Sequence, residues 1–386
     1  MVIYTKFYVI KLNVEGRLTM KHGLKVVLLL IGSLILLVFL VVVGYVLYMQ
    51  FNYYRIDDNS ALEISNPSDE VLQSGVSYKA LTYNIGFGAY NHDFSFFMDS
   101  GTMLDGTEVQ GTMSRAQSRD IVLTNTEGAL QVAQTQNADF YLLQEVDTKS
   151  TRSFQVDQRT IFEQENPDLC GVYAVNFHSA YMMYPLSEPH GSVLSGLLTL
   201  SRYSVSEAVR RSYPVDLSFL TKFFDLDRCF SLLRLPVDNG KELVLINSHM
   251  SAYDEGGTIR AKQLELLNSV MAEEYAKGNY VIVGGDFNHA LCGTISTFAS
   301  EQNVPGWVFP LEESDVSEGL SVVSAENLNE VPTCRSTDMP YKKGVNYSVV
   351  IDGFIVSDNV TASALNIDTD FEYSDHNPVL ITFTLN

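Results

Sequence analysis

Val281-Ile282-Val283-Gly284-Gly285-Asp286-Phe287-Asn288 is the stretch on which the fold turns. Four β-favouring apolar residues, Tyr280 to Val283, run into two glycines and then an Asp and an Asn two apart. A short apolar run bounded by glycines reads as a buried strand ending at a loop. Alternation along an extended chain puts Asp286 and Asn288 on one side. A carboxylate and a carboxamide at the mouth of a sheet suit work on a phosphate: the first orients or deprotonates a water, the second donates to a developing negative charge. Taken alone, Gly-Gly-Asp-x-Asn is equally the composition of a turn, so the neighbouring stretches decide.

Those neighbours repeat the pattern. Lys79-Ala80-Leu81-Thr82-Tyr83-Asn84 alternates like a strand and ends on an amide. Asp139 to Glu145 is a strand ending on an acid, Ser195 to Ser201 one followed by Arg202, and Glu242 to Asn247 one leading into Ser248-His249. Val349 to Val356 carries Asp352 within it, and Asp375-His376-Asn377-Pro378 precedes a last strand, Val379 to Leu385. Two helices are expected: Ser114 to Gln136 with Ser114 as N-cap, and an amphipathic one over Thr258 to Ala276. Residues 86–113 read as a long loop with Phe94, Phe96, Phe97 and Met98, and Leu217 to Phe230 as an aromatic insertion with Phe219, Phe223 and Phe224. Many strands and few helices imply an α/β body of mostly antiparallel sheets with helices outside.

The chain has 386 residues, enough for one large domain or two small ones, and a formal net charge of −21. Five basic residues and one acid lie within the first 25 positions, which leaves the remainder at −25. Such a body repels polyanions and lacks the basic face of a general nucleic-acid binder. Four widely spaced cysteines form neither a zinc knuckle nor a dense disulfide framework. Val26 to Phe51 is almost wholly apolar and uncharged, long enough to span a bilayer. No small-residue cleavage site follows it, so it reads as an uncleaved signal anchor. Basic residues precede it and Asp57 and Asp58 follow, which places the N-terminus in the cytoplasm and the rest outside. The expected organisation is therefore a basic N-terminus (1–25), a transmembrane anchor (26–51), a tether (52–77) and a catalytic domain (78–386).

Asn84, Glu145, His249, Asp286, Asn288, Asp352, Asp375 and His376 recur at strand ends as a shared polar rim. Thr82-Tyr83-Asn84, Leu143-Gln144-Glu145-Val146, Asn247-Ser248-His249, Gly285-Asp286-Phe287-Asn288, Ile351-Asp352-Gly353-Phe354 and Ser374-Asp375-His376-Asn377-Pro378 occur in that order. In these motifs the sequence resembles the endonuclease/exonuclease/phosphatase superfamily of metal-dependent phosphoesterases. The resemblance implies a four-layer α/β/β/α sandwich with its site at one end of two sheets. It implies Glu145 as the main metal ligand, with Asn84 and Asp375 nearby. Mg²⁺ is the expected ion, with Mn²⁺ as its substitute, because all-oxygen ligands suit a hard cation. His376, fixed by Asp352, and Asp286 would activate water, while Asn288 and His249 would bind phosphate oxygens. Arg202, Arg260 and Gln263 match scaffold positions, and the pattern gives His289 no role.

The motifs give chemistry and not substrate. A phosphodiester or phosphomonoester is expected, and a lipid head group or nucleic acid remains open. The alternatives are an extracellular nuclease of the same fold, a catalytically silent binding domain, and a zinc hydrolase. The last is disfavoured because the histidines lack HExxH spacing.

Overall fold

The computed structural model describes residues 22–216, 218–219, 221–223, 226–252 and 258–386. Residues 1–21 of the basic N-terminus, and Leu217 and Phe224 of the expected insertion, lie outside the described residues. The chain divides between Tyr53 and Tyr54. In the first unit, α1 (His22–Asn52) carries Gly23–Asn52, 30 residues that include an 18-residue stretch of mean hydropathy 3.5, none of it buried. By length and composition it fits a membrane span or a signal sequence.

In the second unit fourteen strands form two seven-stranded sheets, three two-stranded ladders lie outside them, and the helices are α2 (Arg119–Thr135), α3 (Gln158–Gln164) and α4 (Thr258–Ala276). In chain order the strands are β1 (Ser60–Ala61), β2 (Ile64–Ser65), β3 (Ser77–Asn84), β4 (Phe140–Asp147), β5 (Cys170–Met182), β6 (Gly191–Ser201) and β7 (Glu207–Ser212). They continue as β8 (Cys229–Pro236), β9 (Glu242–His249), β10 (Tyr280–Asp286), β11 (Leu320–Val322), β12 (Asp352–Ser357), β13 (Val360–Asn366) and β14 (Val379–Leu385). One sheet runs β1-β7-β8-β9-β10-β12-β11, the other β13-β14-β3-β4-β6-β5-β2. Each is antiparallel except for one pair, β9 with β10 and β3 with β4. The mostly antiparallel α/β expectation therefore holds.

Burial along β10 explains the layers. Tyr280 and Ile282 pack into a core shared with Ala80, Phe140, Leu142, Ile381 and Phe383 of the other sheet. Val281 and Val283 point the other way, onto Leu264, Leu267, Val270 and Met271 of α4. Leu81, Tyr83, Leu143 and Leu198 of the second sheet meet Ala129, Leu130 and Ala133 of α2 and Phe162 of α3. Both faces of each sheet are thus covered, which is why the central strands are apolar on both sides. Gly285, at φ 157, lies so near the neighbouring strand that a Cβ would sit 2.0 Å from the Ser248 carbonyl oxygen.

Several expectations change. The helix expected from Ser114 begins at Arg119, and Ser118 caps it by accepting the Ile121 N–H at 3.2 Å. Ser114 donates to the Glu188 carbonyl instead, which holds that segment out of the helix. The strand expected over Val349 to Val356 breaks at Val350-Ile351, where Thr333 Oγ1 accepts the N–H groups of Ile351 and Asp352. Residues 60–76, expected as tether, join the body: β1 and β2 extend one sheet each, and Leu72 is wholly buried in the inter-sheet core. Strand β7 has little apolar pattern of its own, because Arg210 interrupts it. That residue is 1 % exposed and donates to the Val175 and Asp227 carbonyls.

On α4, Glu274 is held by two bonds from Arg234 (2.7 and 2.9 Å), one from Lys277 and one from Asn279. Burial opposes its charge, but these bonds outweigh it and hold the carboxyl down at about 2. A carboxyl lowered on folding adds stability above its unfolded value, lost as pH falls through the folded one. Glu274→Gln is expected to cost about 1–2 kcal/mol at neutral pH, discounted for the partly exposed Arg234. The deficit should shrink between about pH 4.5 and pH 2. Urea midpoints at pH 7 and pH 3 check this, and an equal deficit at both would refute it.

Candidate active site

Strand register brings the first residues together. His249 pairs with Asp286 across β9 and β10, and Asp286 pairs with Asp352 across β10 and β12, so the three stand side by side at one sheet's end. In the other sheet Asn84, ending β3, pairs with Gln144, and Glu145 follows immediately. A bulge between Leu143 and Val146 and a left-handed backbone at Glu145 (φ 55) turn this residue away from the regular pleat. Gln144 locks the two sheets beneath the site: its Nε2 donates to Asn247 Oδ1 at 2.8 Å, and Asn247 Nδ2 donates back to the Leu143 and Leu198 carbonyls. Asp375 and His376 arrive on the turn before β14. Ser374 fixes that turn by donating to the Asn84 carbonyl and accepting the His376 N–H.

The site converges on the Asp286 carboxylate. Its Oδ1 accepts the Asn288 N–H at 2.9 Å. Its Oδ2 accepts Asn84 Nδ2 at 3.1 Å and lies 3.3 Å from His249 Nε2 and 3.8 Å from His376 Nε2. His376 Nδ1 meets Asp352 Oδ2 at 2.8 Å. Burial and the nearby Asp352 push the Asp286 carboxyl up to about 6. Burial disfavours the charged form of His376, but Asp352, Cys334 and Asp375 outweigh it and raise its pKa well above the ordinary histidine value. His249 goes the other way, neutral through burial, Arg228, His376 and Arg152. A neutral His249 reaches Asp286 as an Nε2–H donor.

Glu145, His249, Asp286, Asn288, Asp375 and His376 all line one cavity of about 420 Å³. Asn84 and Asp352 stand behind that lining, bonded to residues that form it. Asn84 was expected as a metal ligand. Its Oδ1 accepts the Gly86 N–H at 3.0 Å, while Nδ2 faces Asp286 and, at 3.4 Å, Glu145. In this orientation it is a donor that gathers the acids. The Asn288 side chain donates to the Met250 carbonyl at 2.9 Å, and its own carbonyl is held by Arg260. Gln263 accepts the Ser251 N–H, and Arg202 pairs with Asp139, so these three serve the scaffold as expected. His289 turns to the Phe287 carbonyl and is not part of the cavity wall. The aromatic loops divide: Phe94 and Phe223 are buried in the body, Phe96 and Phe97 wall the cavity, and Phe219 is exposed. Sequence reasoning missed Thr333 and Arg228. Neither lies at a predicted strand end, and only the fold brings Thr333 under Asp352 and Arg228 into the cavity wall.

Residues 81–376 match the Endonuclease/Exonuclease/phosphatase family. The chain belongs to that family. Among solved structures, the family fold recurs in an endonuclease/exonuclease/phosphatase from Beutenbergia cavernae DSM 12333, at 13% identity and TM-score 0.51 over 80% of this chain and 72% of that one. TDP2 from C. elegans matches at 15% identity and TM-score 0.50 over 81% and 76%. No curated protein sequence matches the chain. As a member of the endonuclease/exonuclease/phosphatase family, the protein has a fold that carries divalent-metal-dependent cleavage of phosphate esters.

The donor set fits a hard divalent cation. Burial and Glu145 push the Asp375 carboxyl up to about 7, so two acids crowd one buried corner, a repulsion that a cation relieves. Asp286, Asp352 and His376 offer a second group of ligand atoms, all within 4.8 Å of one another. There the Asp352–His376 hydrogen bond already joins two of the three side chains.

Proposed function

We propose that the protein is a Mg²⁺-dependent phosphoric ester hydrolase that cleaves a phosphodiester, or a phosphomonoester, by in-line attack of water. The observation that carries this reading is the convergence of Asn84, His249, His376 and Asn288 on the one Asp286 carboxylate. Glu145 and Asp375 would hold the ion, with Asn84 orienting Glu145 beside it. When bound, the ion would neutralise charge on the phosphoryl oxygens.

The chain's own groups do the rest. Asp286, ionised above about pH 6, accepts the proton of the attacking water. His376, held by Asp352, presents Nε2 on the same side and stabilises the charge that accumulates. His249, neutral, would turn its one N–H from Asp286 to a phosphoryl oxygen once substrate binds, and Asn288 lines the same cavity. The apolar helix α1 would anchor the chain in a membrane, N-terminus cytoplasmic and catalytic domain outside, since basic residues precede it. The substrate would be a small phosphate ester such as a lipid head group. A nuclease is the second reading, and the −25 body weighs against it.

The test uses the full chain in detergent with bis(p-nitrophenyl) phosphate. EDTA should abolish hydrolysis and Mg²⁺ restore it, and Glu145→Gln should raise the Mg²⁺ needed for half-maximal rate about tenfold or more. Turnover that survives EDTA, or a Glu145→Gln enzyme equal to wild type at limiting Mg²⁺, would remove the metal assignment.

A further inference from the structure

Beyond the reacting end, the cavity has a second polar wall that the reaction does not use. Strand β6 runs beside β4, and Ser195 pairs with Asp147, two residues past Glu145. Strand β5 is next, and its register with β6 slips between Val175 and Phe177, so Asn176 is the bulged residue opposite Ser195 and Gly196. A bulge re-aims a side chain without ending the strand. Asn176 is 2 % exposed and Ser195 is 1 % exposed, and both line the cavity. Asn176 Nδ2 and Ser195 Oγ have no hydrogen-bond partner among the described residues. Each such buried group is a standing cost that a bonded ligand removes.

The surroundings narrow what that ligand is. Arg228 lines the same cavity. His190, also in the wall, is held neutral, its pKa lowered to about 4 by burial and Arg152, while its Nδ1 meets the Ser114 carbonyl. A neutral imidazole donating through Nδ1 keeps Nε2 as an acceptor. The wall therefore combines an amide donor, a hydroxyl, a histidine acceptor and a cation. Phe87, Phe96 and Phe177 line the same cavity and give it apolar surface for the body of a ring. Two strand spacings separate Asn176's strand from Glu145's, about 10 Å. Measured from Glu145, that offset reaches the non-reacting part of the ester and not the phosphoryl group itself.

We propose that Asn176 and Ser195 form a recognition subsite for oxygen substituents, ring hydroxyls or a second phosphate, on the organic group of the substrate. The assignment rests on the phosphoesterase reading for the position of the phosphoryl group. It makes the protein selective for polyol-type phosphate esters over esters of the same shape without oxygens. A site built to bond a substrate oxygen rejects the analogue lacking it, because its own polar groups then stay unmatched.

Binding to the full chain is measured by calorimetry with non-hydrolysable phosphonate analogues of cyclohexyl phosphate, of myo-inositol 1-phosphate, and of an inositol 1,4-bisphosphate. The wild-type protein should favour the hydroxylated probe over the cyclohexyl probe. Asn176→Leu and Ser195→Ala should each cut that preference about tenfold, as expected for one buried hydrogen bond. A preference confined to the bisphosphonate assigns the subsite to phosphate, and one already present with a single phosphonate assigns it to hydroxyls. If the wild-type protein shows no preference, or if both variants keep it, the subsite is wrong. Asn176-dependent preference in a protein that hydrolyses none of the corresponding esters would sink the phosphoesterase reading and leave the subsite standing.

Discussion

Asp286→Asn is expected to lower kcat about 10³-fold at saturating Mg²⁺, within the range that a lost general base removes. The substitution keeps shape and volume but not chemistry. Oδ1 accepts from the Asn288 N–H, and Oδ2 from Asn84 and His249. An amide has only one acceptor arm, so one of these donors must face an NH₂ group. The variant therefore loses the base and also the group on which the site converges. The acidic limb of the wild-type pH–rate profile is expected at or below about 6, because rate rises as Asp286 ionises and a bound cation draws its pKa lower. Single-turnover kinetics over pH 4 to 9 check both statements. A kcat loss under tenfold would take the proton from Asp286 and leave His376 as the base.

Asp147→Ala is expected to destabilise the body by about 3–5 kcal/mol, because it leaves a buried cation without its partner. Asp147 is wholly buried and accepts Arg152 Nη2 at 2.9 Å, Arg152 Nε at 3.0 Å and Ser153 Oγ at 2.8 Å. The Arg152 guanidinium lies 3.8 Å over the Phe87 ring, and Asp147 does more than Glu145 to hold it charged. Adding Arg152→Met to Asp147→Ala should recover a large part of the loss, since a well-packed apolar pair often replaces a buried ion pair at little cost. Urea denaturation of the two variants reads the difference. A single variant within about 1 kcal/mol of wild type would mean that water reaches the guanidinium.

Legibility in the sequence followed the locality of the signal. Helix α4 and strand β14 lie at the bounds that periodicity gave, since each carries its own apolar pattern and little interrupts it. The start of α2 moved because two serines compete as cap, and only the tertiary bond from Ser114 to Glu188 decides between them. Strand β7 and the joining of residues 60–76 to the sheets were hidden for a related reason. Their polar residues are matched by partners more than a hundred positions away, as Ser212 N–H is by Asp58 at 2.8 Å.

From the chain alone came the mostly antiparallel α/β class, the apolar N-terminal helix and the eight strand-end residues, because each rests on residues close together in sequence, while the four layers came from the family resemblance that those motifs carry. Which of those residues touch, and in what role, was left to tertiary structure. Tertiary structure sets Asn84's amide oxygen on the Gly86 N–H and its nitrogen toward Asp286, and it brings Asn176 and Ser195 into the cavity wall at a bulge in strand pairing. Hydrogen-bond direction and the burial of a charge depend on neighbours brought from distant segments. No spacing rule along the chain encodes them.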